Sequence, residues 1–390
     1  MNSGRLATAL VTVAVTAVLL VGIASARSFA PWAPAQKIDE IFGNSSELNT
    51  AFIDGCPIQS PDGLSLYRAS SRPRFAGDTR TDLDIWVAHR EGKRDPWGAP
   101  ENLGEPVNST ADDFCPTPIR SGGLFFVSRQ ALPGSCGLGD IYFARYSRRH
   151  GWSEPQHLAC APEGPNSALD EQGPSYLTAG EGAQLYFSRS SATVAGEVYV
   201  ARERAGFTFG PATPVAELND PGANDIQPNV RRDGREVVFS SNRAGTLGGQ
   251  DIWVATRNSL RDPWSAPVNL GASVNTTAAE TRPSLTGGAE TLLFGRAPGP
   301  EGMSDIYMAT RDELGGSDDD GDDGEGDDDE WRSGGSSPDV RALTTTGHAG
   351  YERRVPWRRT RVCQAGISSP IVLWMAKNVG RASGGSWPSS

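Results

Sequence analysis

The sequence predicts an all-β protein, a β-propeller of five four-stranded blades, and three observations carry that prediction. Residues 251–271, DIWVATRNSLRDPWSAPVNLG, repeat residues 84–104, DIWVAHREGKRDPWGAPENLG, at 15 of 21 positions across a distance of 167 residues. An acid-x-x-Pro signature occurs five times, with its prolines 59, 58, 54 and 55 residues apart. Across residues 27–311 short β-type runs alternate with Gly, Pro and Asp turns, without a sustained apolar period of 3.6. Units of ~40–50 residues with four strands each are the sequence mark of propeller blades. The long gap between the two similar phrases is then three such units.

The elements follow one order in each unit. The acids Asp54, Asp113, Glu171, Asp225 and Glu280 open the inner strands, three residues ahead of Pro57, Pro116, Pro174, Pro228 and Pro283. A turn follows (SPDG, RSGG, TAGEG, RRDG, TGG), then a second strand (LSLY, LFFVS, QLYFS, EVVFS, TLLFG) and an arginine: Arg72, Arg129, Arg189, Arg243 or Arg296. A third strand opens on an acid-aliphatic-aromatic triplet, at Asp84, Asp140, Glu197, Asp251 and Asp305. An outer strand with an aromatic and a proline comes next (WGAPENL, WSEPQHL, FGPATPVAEL, WSAPVNL). Asn108, Asn166, Asn219 or Asn275 then precedes the next acid.

The fifth unit stops at Arg311 without its outer strand, and the missing piece stands at the other end of the array. Trp32 to Ile38 keeps the Trp-to-aliphatic spacing, and Asn49 lies five residues before Asp54. The N-terminal segment is therefore expected to supply the outer strand of the last blade, closing the ring without an open edge. The count is five blades, with six as the alternative if the C-terminal region hides another.

The combination D-x-x-P, SPDG, LYF-S-x-R, G-x-D-I-[WY] and W-S-x-P-x-N-L-G resembles the TolB-type WD40-like repeat of exported bacterial propellers. The resemblance covers about 29–311 and is strongest to copies accompanying peptidoglycan-associated outer-membrane proteins, although no OmpA-like pattern is recognisable in this sequence. It implies a non-enzymatic scaffold with a protein or cell-wall glycan as partner. The alternatives are a carbohydrate-active hydrolase using channel carboxylates, or an ion-binding propeller using the acid ring. No acid is seen to break the repeat pattern as a catalytic pair would.

Two roles are open for the five inner-strand acids. They can form a binding ring at the channel mouth, or they can accept backbone N–H bonds and pair with the blade arginine. The triplet acids read as turn caps or ion pairs within a blade, and the repeated aromatics as packing between blades. The four histidines fall at non-equivalent places and none is read as having metal-ligand spacing, so neither a metal nor a cofactor is expected. A G-x-S-x-G elbow, P-loop and HExxH motif are absent from the sequence. Cys136 and Cys160 fall at one end of blade 2 and can bridge. Cys56 and Cys115 share one position in adjacent blades, where they can pair or remain thiols, and Cys363 is the odd one. Of the glycosylation patterns at Asn44, Asn108 and Asn275, the last two coincide with the repeat's own Asn.

The termini differ from the array. Residues 1–26 combine a short basic start, an uncharged apolar run and an A-x-A site, which reads as a secretory signal peptide, with an uncleaved anchor helix as the alternative, and places the protein in the periplasm or outside the cell. Cleavage would leave no membrane span. Residues 312–330 hold 12 acids and no base, an acidic Asp/Gly linker. Residues 331–390 hold 9 Lys/Arg against 2 acids and read as a disordered basic tail. The remaining charge is close to balanced, which gives no reason to expect nucleic acid as a partner. Oligomeric state is not legible.

Overall fold

The computed structural model describes residues 28–314 with the exception of Glu181. The signal peptide, the rest of the acidic segment, the basic tail and Cys363 lie outside the described residues.

Five antiparallel sheets form the predicted blades. Blade 1 runs through Asp54–Gln59, Ser65–Ser70, Asp84–His89 and Glu101–Asn102. Blade 2 runs through Asp113–Ile119, Gly123–Ser128, Asp140–Ser147 and Gln156–His157. Blade 3 runs through Asp170–Leu177, Gln184–Ser190, Glu197–Ala205 and Thr213–Pro214. Blade 4 runs through Asp225–Val230, Glu236–Ser241, Asp251–Thr256 and Val268–Asn269. Blade 5 takes Ala279–Leu285, Thr291–Ala297 and Asp305–Thr310 from its own unit and Gln36–Lys37 from the N-terminal segment. In that borrowed strand Gln36 faces Met308 and Lys37 faces Tyr307, as the displaced Trp-x-Pro phrase predicts.

The acid-x-x-Pro signature encodes a bulge. Proline has no N–H for the ladder, so a strand carrying it must break register there. Each inner strand slips at this point, and the residue before the proline is left-handed in every blade: Cys56, Cys115, Gly173, Gln227 and Arg282, with φ of 49°, 50°, 59°, 56° and 59°. Around the same level the inner strands are laced to one another across the ring. Cys56 and Cys115 are disulfide-bonded between blades 1 and 2. The Thr117 hydroxyl donates to the Pro174 carbonyl, and Ser175 Oγ accepts from the Val230 N–H at 3.0 Å. Asn229 Oδ1 accepts from the Leu285 N–H at 2.9 Å, and the Ser284 hydroxyl donates to the Pro57 carbonyl at 2.6 Å. All five blade junctions therefore carry one tie close to the axis.

A second set of ties joins the blades farther out. The repeated asparagine uses its amide like a short strand, accepting from the N–H and donating to the C=O of the triplet's aliphatic residue. Asn108 does this to Ile85 at 2.8 and 2.9 Å, Asn166 to Ile141 at 2.8 and 3.1 Å, and Asn219 to Val198 at 2.7 and 3.1 Å. Asn275 does it to Ile252 at 2.8 and 3.0 Å, and Asn49 to Ile306 in the last blade at 2.7 and 3.2 Å. The N–H of the residue after each Asn then donates to the next blade's inner-strand acid. Those donors are Thr50, Ser109, Ser167, Asp220 and Thr276, at 2.6, 2.5, 3.1, 2.6 and 2.9 Å.

The apolar cores lie between neighbouring blades, where one strand's aromatics meet the next blade's aliphatics. Asn49 makes the ring's closing joint, and its loss strands a buried N–H and C=O of Ile306. The Asn49→Ala variant should therefore lose about 2–3 kcal/mol of stability. The check is a lower urea midpoint at an unchanged denaturant slope.

Candidate functional site

The five inner-strand acids do not form an open ring. Asp54, Asp113, Glu171, Asp225 and Glu280 are all fully buried, turned into the blade joints. Four of them also hold their blade arginine: Arg72 on Asp54 at 3.0 Å, Arg189 on Glu171 at 2.9 Å, Arg243 on Asp225 at 2.5 Å and Arg296 on Glu280 at 2.7 Å. Each of these guanidinium groups lies 4.0 to 5.2 Å from the ring centre of its triplet aromatic or of the second-strand Phe. The candidate binding ring is thereby corrected to a structural one, because all five carboxylates are wholly buried in the joints, each accepting a backbone N–H from the segment before its blade. The triplet acids cap loops: Asp140 accepts from the Cys136 N–H and Asp251 from the Leu247 N–H, both at 2.7 Å. Asn44, Asn108 and Asn275 are all engaged in internal hydrogen bonds.

Departures from fivefold regularity mark where chemistry can sit, and blade 2 departs first. Arg129 turns away from Asp113. Its Nη1 holds Asp112 at 3.0 Å, its Nη2 holds Asp170 of blade 3 at 2.7 Å, and its guanidinium lies 4.8 Å from the centre of the Phe114 ring. Asp112 and Asp170 each stand immediately before an inner-strand acid, where the other blades have Ile53, Asn224 and Ala279. The expectation that no acid breaks the repeat is corrected by this pair. The sequence signal is the doubled acids at 112–113 and 170–171, whose first member lies one residue ahead of the acid-x-x-Pro phrase.

The network continues around the channel. Gln172 donates to Asp170 at 2.9 Å, and Gln227 of blade 4 donates to Gln172 at 3.2 Å. Gly139 leaves room for Asp170, since a Cβ there would stand 2.2 Å from its Oδ1. Arg282 of blade 5, at the left-handed position, reaches toward blade 1 so closely that a Cβ on Gly55 would meet its Nη1 at 2.7 Å. The buried Nε of Arg282 has no hydrogen-bond partner. Burial and the neighbouring Arg129 charge push its pKa down to about 10, against the pull of Asp112. Arg129 is held up instead, because Asp170 and Asp112 outweigh the cost of burying it. The Arg129 side chain, 31% exposed, meets solvent, as does part of Arg282, while Asp112, Asp170, Gln172 and Gln227 are buried.

Two buried charges show what the departures cost. Deprived of an arginine, Asp113 keeps one oxygen unpartnered, and burial pushes its carboxyl up to about 6. Arg68 in blade 1 stands where blades 2 to 5 have Phe126, Phe187, Phe239 and Phe294, each opposite the triplet aromatic. It is fully buried on Asp54, with Nε and Nη1 unpartnered.

A third departure lies at the outer strand of blade 2. His157 occupies the position of Asn102 and Asn269, which donate to Asp84 and Asp251 at 2.9 and 2.7 Å. Its Nε2 is 3.0 Å from Asp140 Oδ2 and 3.7 Å from Cys136 Sγ. Cys136 and Cys160 are disulfide-bonded, with Cα atoms 5.6 Å apart. The four cysteines of the array thus pair as the sequence allowed, but the reading that no histidine has metal-ligand spacing is corrected: His157-x-x-Cys160 has it, and Cys136 joins them in space.

No protein-family model and no curated relative matches the chain. Solved structures with a related chain path include the catalytic domain of a Coprinopsis cinerea GH62 α-L-arabinofuranosidase, 11% identical, with a TM-score of 0.48 over 73% of this chain and 98% of that one. An α-L-arabinofuranosidase from Lactobacillus brevis is 12% identical, with a TM-score of 0.45 over 69% and 92%. A GH43 endo-arabinanase from Bacillus licheniformis is 12% identical, with a TM-score of 0.43 over 67% and 94%. Likeness at this level concerns the path of the chain alone. The TolB-type identity is corrected: no family model matches the chain, and its solved structural neighbours do not include that family among those named above. The scaffold function that rested on that identity falls with it. Its quoted phrases are the proline bulge, the asparagine joint and the loop caps, which blade closure itself requires.

Two outcomes follow from the buried charges. Asp113 takes up its proton more readily folded than unfolded, so its contribution to stability is full below about pH 4 and lost as pH rises through about 6. Asp113→Asn should therefore be relatively more stable at pH 7.5 than at pH 4.5, measured as the melting-temperature difference from wild type at each pH. Arg68→Phe restores the core of the other four blades while Arg72 stays on Asp54, and should raise stability by about 1–4 kcal/mol in urea unfolding.

Proposed function

We propose that the protein is a carbohydrate-active hydrolase, exported from the cytoplasm, that binds a glycan at the channel mouth between blades 2 and 3. The observation that carries this reading is the pair Asp112 and Asp170, two carboxylates that break the repeat and sit on opposite ends of one guanidinium. Two carboxylates bridged by one guanidinium would stand apart by the order of the ~5–10 Å needed to flank a glycosidic bond. The leader-like residues 1–26 support export.

The chain's own residues suit the task. One carboxyl group would protonate the leaving glycosidic oxygen while the other draws the proton from water on the opposite face of the sugar. Arg129, partly exposed and already holding both groups, would pass its N–H bonds to sugar hydroxyls as the glycan enters. The inner strands are tied to one another at the proline level, so the glycan would enter from the mouth rather than thread the ring. Gln172 and Gln227 add amide donors and acceptors of the kind that read hydroxyl groups.

The test is release of reducing ends from a panel of soluble polysaccharides by wild type, Asp112→Asn and Asp170→Asn. Asn at 112 can keep the bond that Oδ1 accepts from the Leu83 N–H at 2.9 Å, so the fold is spared. Wild type should be active and each variant slower by roughly 10²–10⁴-fold, with glycan binding in affinity electrophoresis retained. Inactivity of wild type on every glycan, or full activity of both variants, sinks the reading.

A further inference from the structure

We infer that reduction of the Cys136–Cys160 bridge converts the outer corner of blade 2 into a zinc site, with Cys136, Cys160 and His157 as ligands and Asp140 in the fourth position. One ligand atom from each of Cys136, His157 and Cys160 lies within 4.8 Å of the others. Tetrahedral zinc, with Zn–S of ~2.3 Å and Zn–N of ~2.0–2.1 Å, sets its sulfur and nitrogen ligands roughly 3.6 Å apart. The observed Cys136 Sγ to His157 Nε2 distance is 3.7 Å. Asp140 Oδ2, 3.0 Å from the same nitrogen, needs to recede by only a few tenths of an ångström to reach the oxygen–nitrogen edge of such a site, roughly 3.3 Å.

The comparison among blades supplies the independent reason. Where the other blades use Asn102 and Asn269 to hydrogen-bond the triplet acid, an amide is sufficient. Blade 2 replaces that amide with imidazole, in the one blade that also places a cysteine in the loop before the acid and another after the outer strand. Beside two sulfurs, the imidazole adds a nitrogen donor that an amide side chain would not supply to a metal. All three side chains are partly exposed, so an ion and a reductant can both reach them. Asn166 beside the ring holds the Ile141 N–H through its Oδ1 and donates to the Leu158 carbonyl through Nδ2, which fixes the backbone on either side of His157.

The conversion balances as follows. A dithiol reductant supplies two electrons, the Sγ–Sγ bond breaks, each sulfur takes one proton, and the reductant leaves as its own disulfide. Binding Zn²⁺ then expels both thiol protons to water, and the sulfurs ligate as thiolates. His157 ligates through the Nε2 lone pair with its ring proton on Nδ1, so the Nε2 contact to Asp140 changes from a hydrogen bond to a shared metal. The gain is a site with four protein ligands, two thiolates, an imidazole and a carboxylate, in place of a covalent staple.

The experiment titrates Zn²⁺ into the full chain against a chromophoric chelator, oxidised and after treatment with a dithiol that is then removed anaerobically. Co²⁺ serves as a spectroscopic probe of thiolate ligation. The reduced wild type should bind one equivalent with thiolate-to-cobalt charge-transfer absorption and release about two protons per metal at a pH below the thiol range. The oxidised protein should bind none. His157→Asn carries the residue of blades 1 and 4, so it preserves the fold, and it should weaken the reduced protein's affinity by ~10-fold or more. Cys136→Ser/Cys160→Ser should abolish binding, while Cys56→Ser/Cys115→Ser should leave it. Reduced wild type that takes up no zinc overturns the inference. So does affinity that is unchanged in His157→Asn, or binding that follows Cys56 and Cys115 instead.

Discussion

The joint between blades depends on a single side chain, the asparagine that closes each unit. Its amide completes the edge of one blade by pairing with the triplet's aliphatic residue, and the next N–H in the chain is handed to the following blade's buried acid. The two events occupy adjacent residues, so blade spacing and blade orientation are set together. A carboxylate buried in that position must be neutralised, which explains why four of the five blades bring an arginine to it. The same arginine also donates to the backbone carbonyl one or two residues before the asparagine, at Glu47, Pro165, Leu218 and Val274, and so locks the joint from both sides.

That logic explains how much of the molecule was legible in sequence. Asn, acid, Pro and Arg recur because each is demanded by backbone geometry at a fixed point, so their spacing gave the blade count, the strand order and the borrowed strand before Asn49. It also misled. The shared phrases serve blade closure in this chain, so they report the fold and not a family. The disulfide at Cys56–Cys115 illustrates the boundary. Equivalent positions put the two cysteines on neighbouring inner strands, yet only the left-handed bulge, which turns both side chains toward the axis, lets the sulfurs meet.

The candidate site was less legible because its meaning lies in where side chains turn. Arg129 belongs to the same series as Arg189 and Arg296, and spacing alone assigns it to Asp113. Its second-strand register differs from theirs by one residue: Arg189 and Arg296 stand opposite the acid itself, whereas Ser128 takes that place in blade 2. In blades 1 and 4 a serine also faces the acid, but the arginine stands two residues on, an even offset that keeps it on the acid's side. The odd offset of Arg129 sends it instead to Asp112 and Asp170. One residue of offset thus leaves one buried acid without a counter-charge and gathers two others around a partly exposed cation.

The departures concentrate in one sector. Asp112, Arg129, His157, the unpaired Asp113 and both disulfides involve blade 2, and Arg68 and Asp170 lie in the blades beside it. Both bridges close loops of moderate length, 59 and 24 residues of separation, and each removes on the order of 3–4 kcal/mol of unfolded-chain entropy. That contribution offsets the cost of the buried, half-satisfied charges in the same sector. The two bridges are not equivalent in access, however. Cys56 and Cys115 are buried at the axis, while Cys136 and Cys160 are partly exposed at the periphery. A reductant reaches the second pair first, and the residue that waits beside it is the one histidine that has replaced a repeat asparagine. The inner bridge then keeps blades 1 and 2 joined whichever state the outer one adopts, so the outer pair can exchange a covalent bond for a metal without releasing the ring.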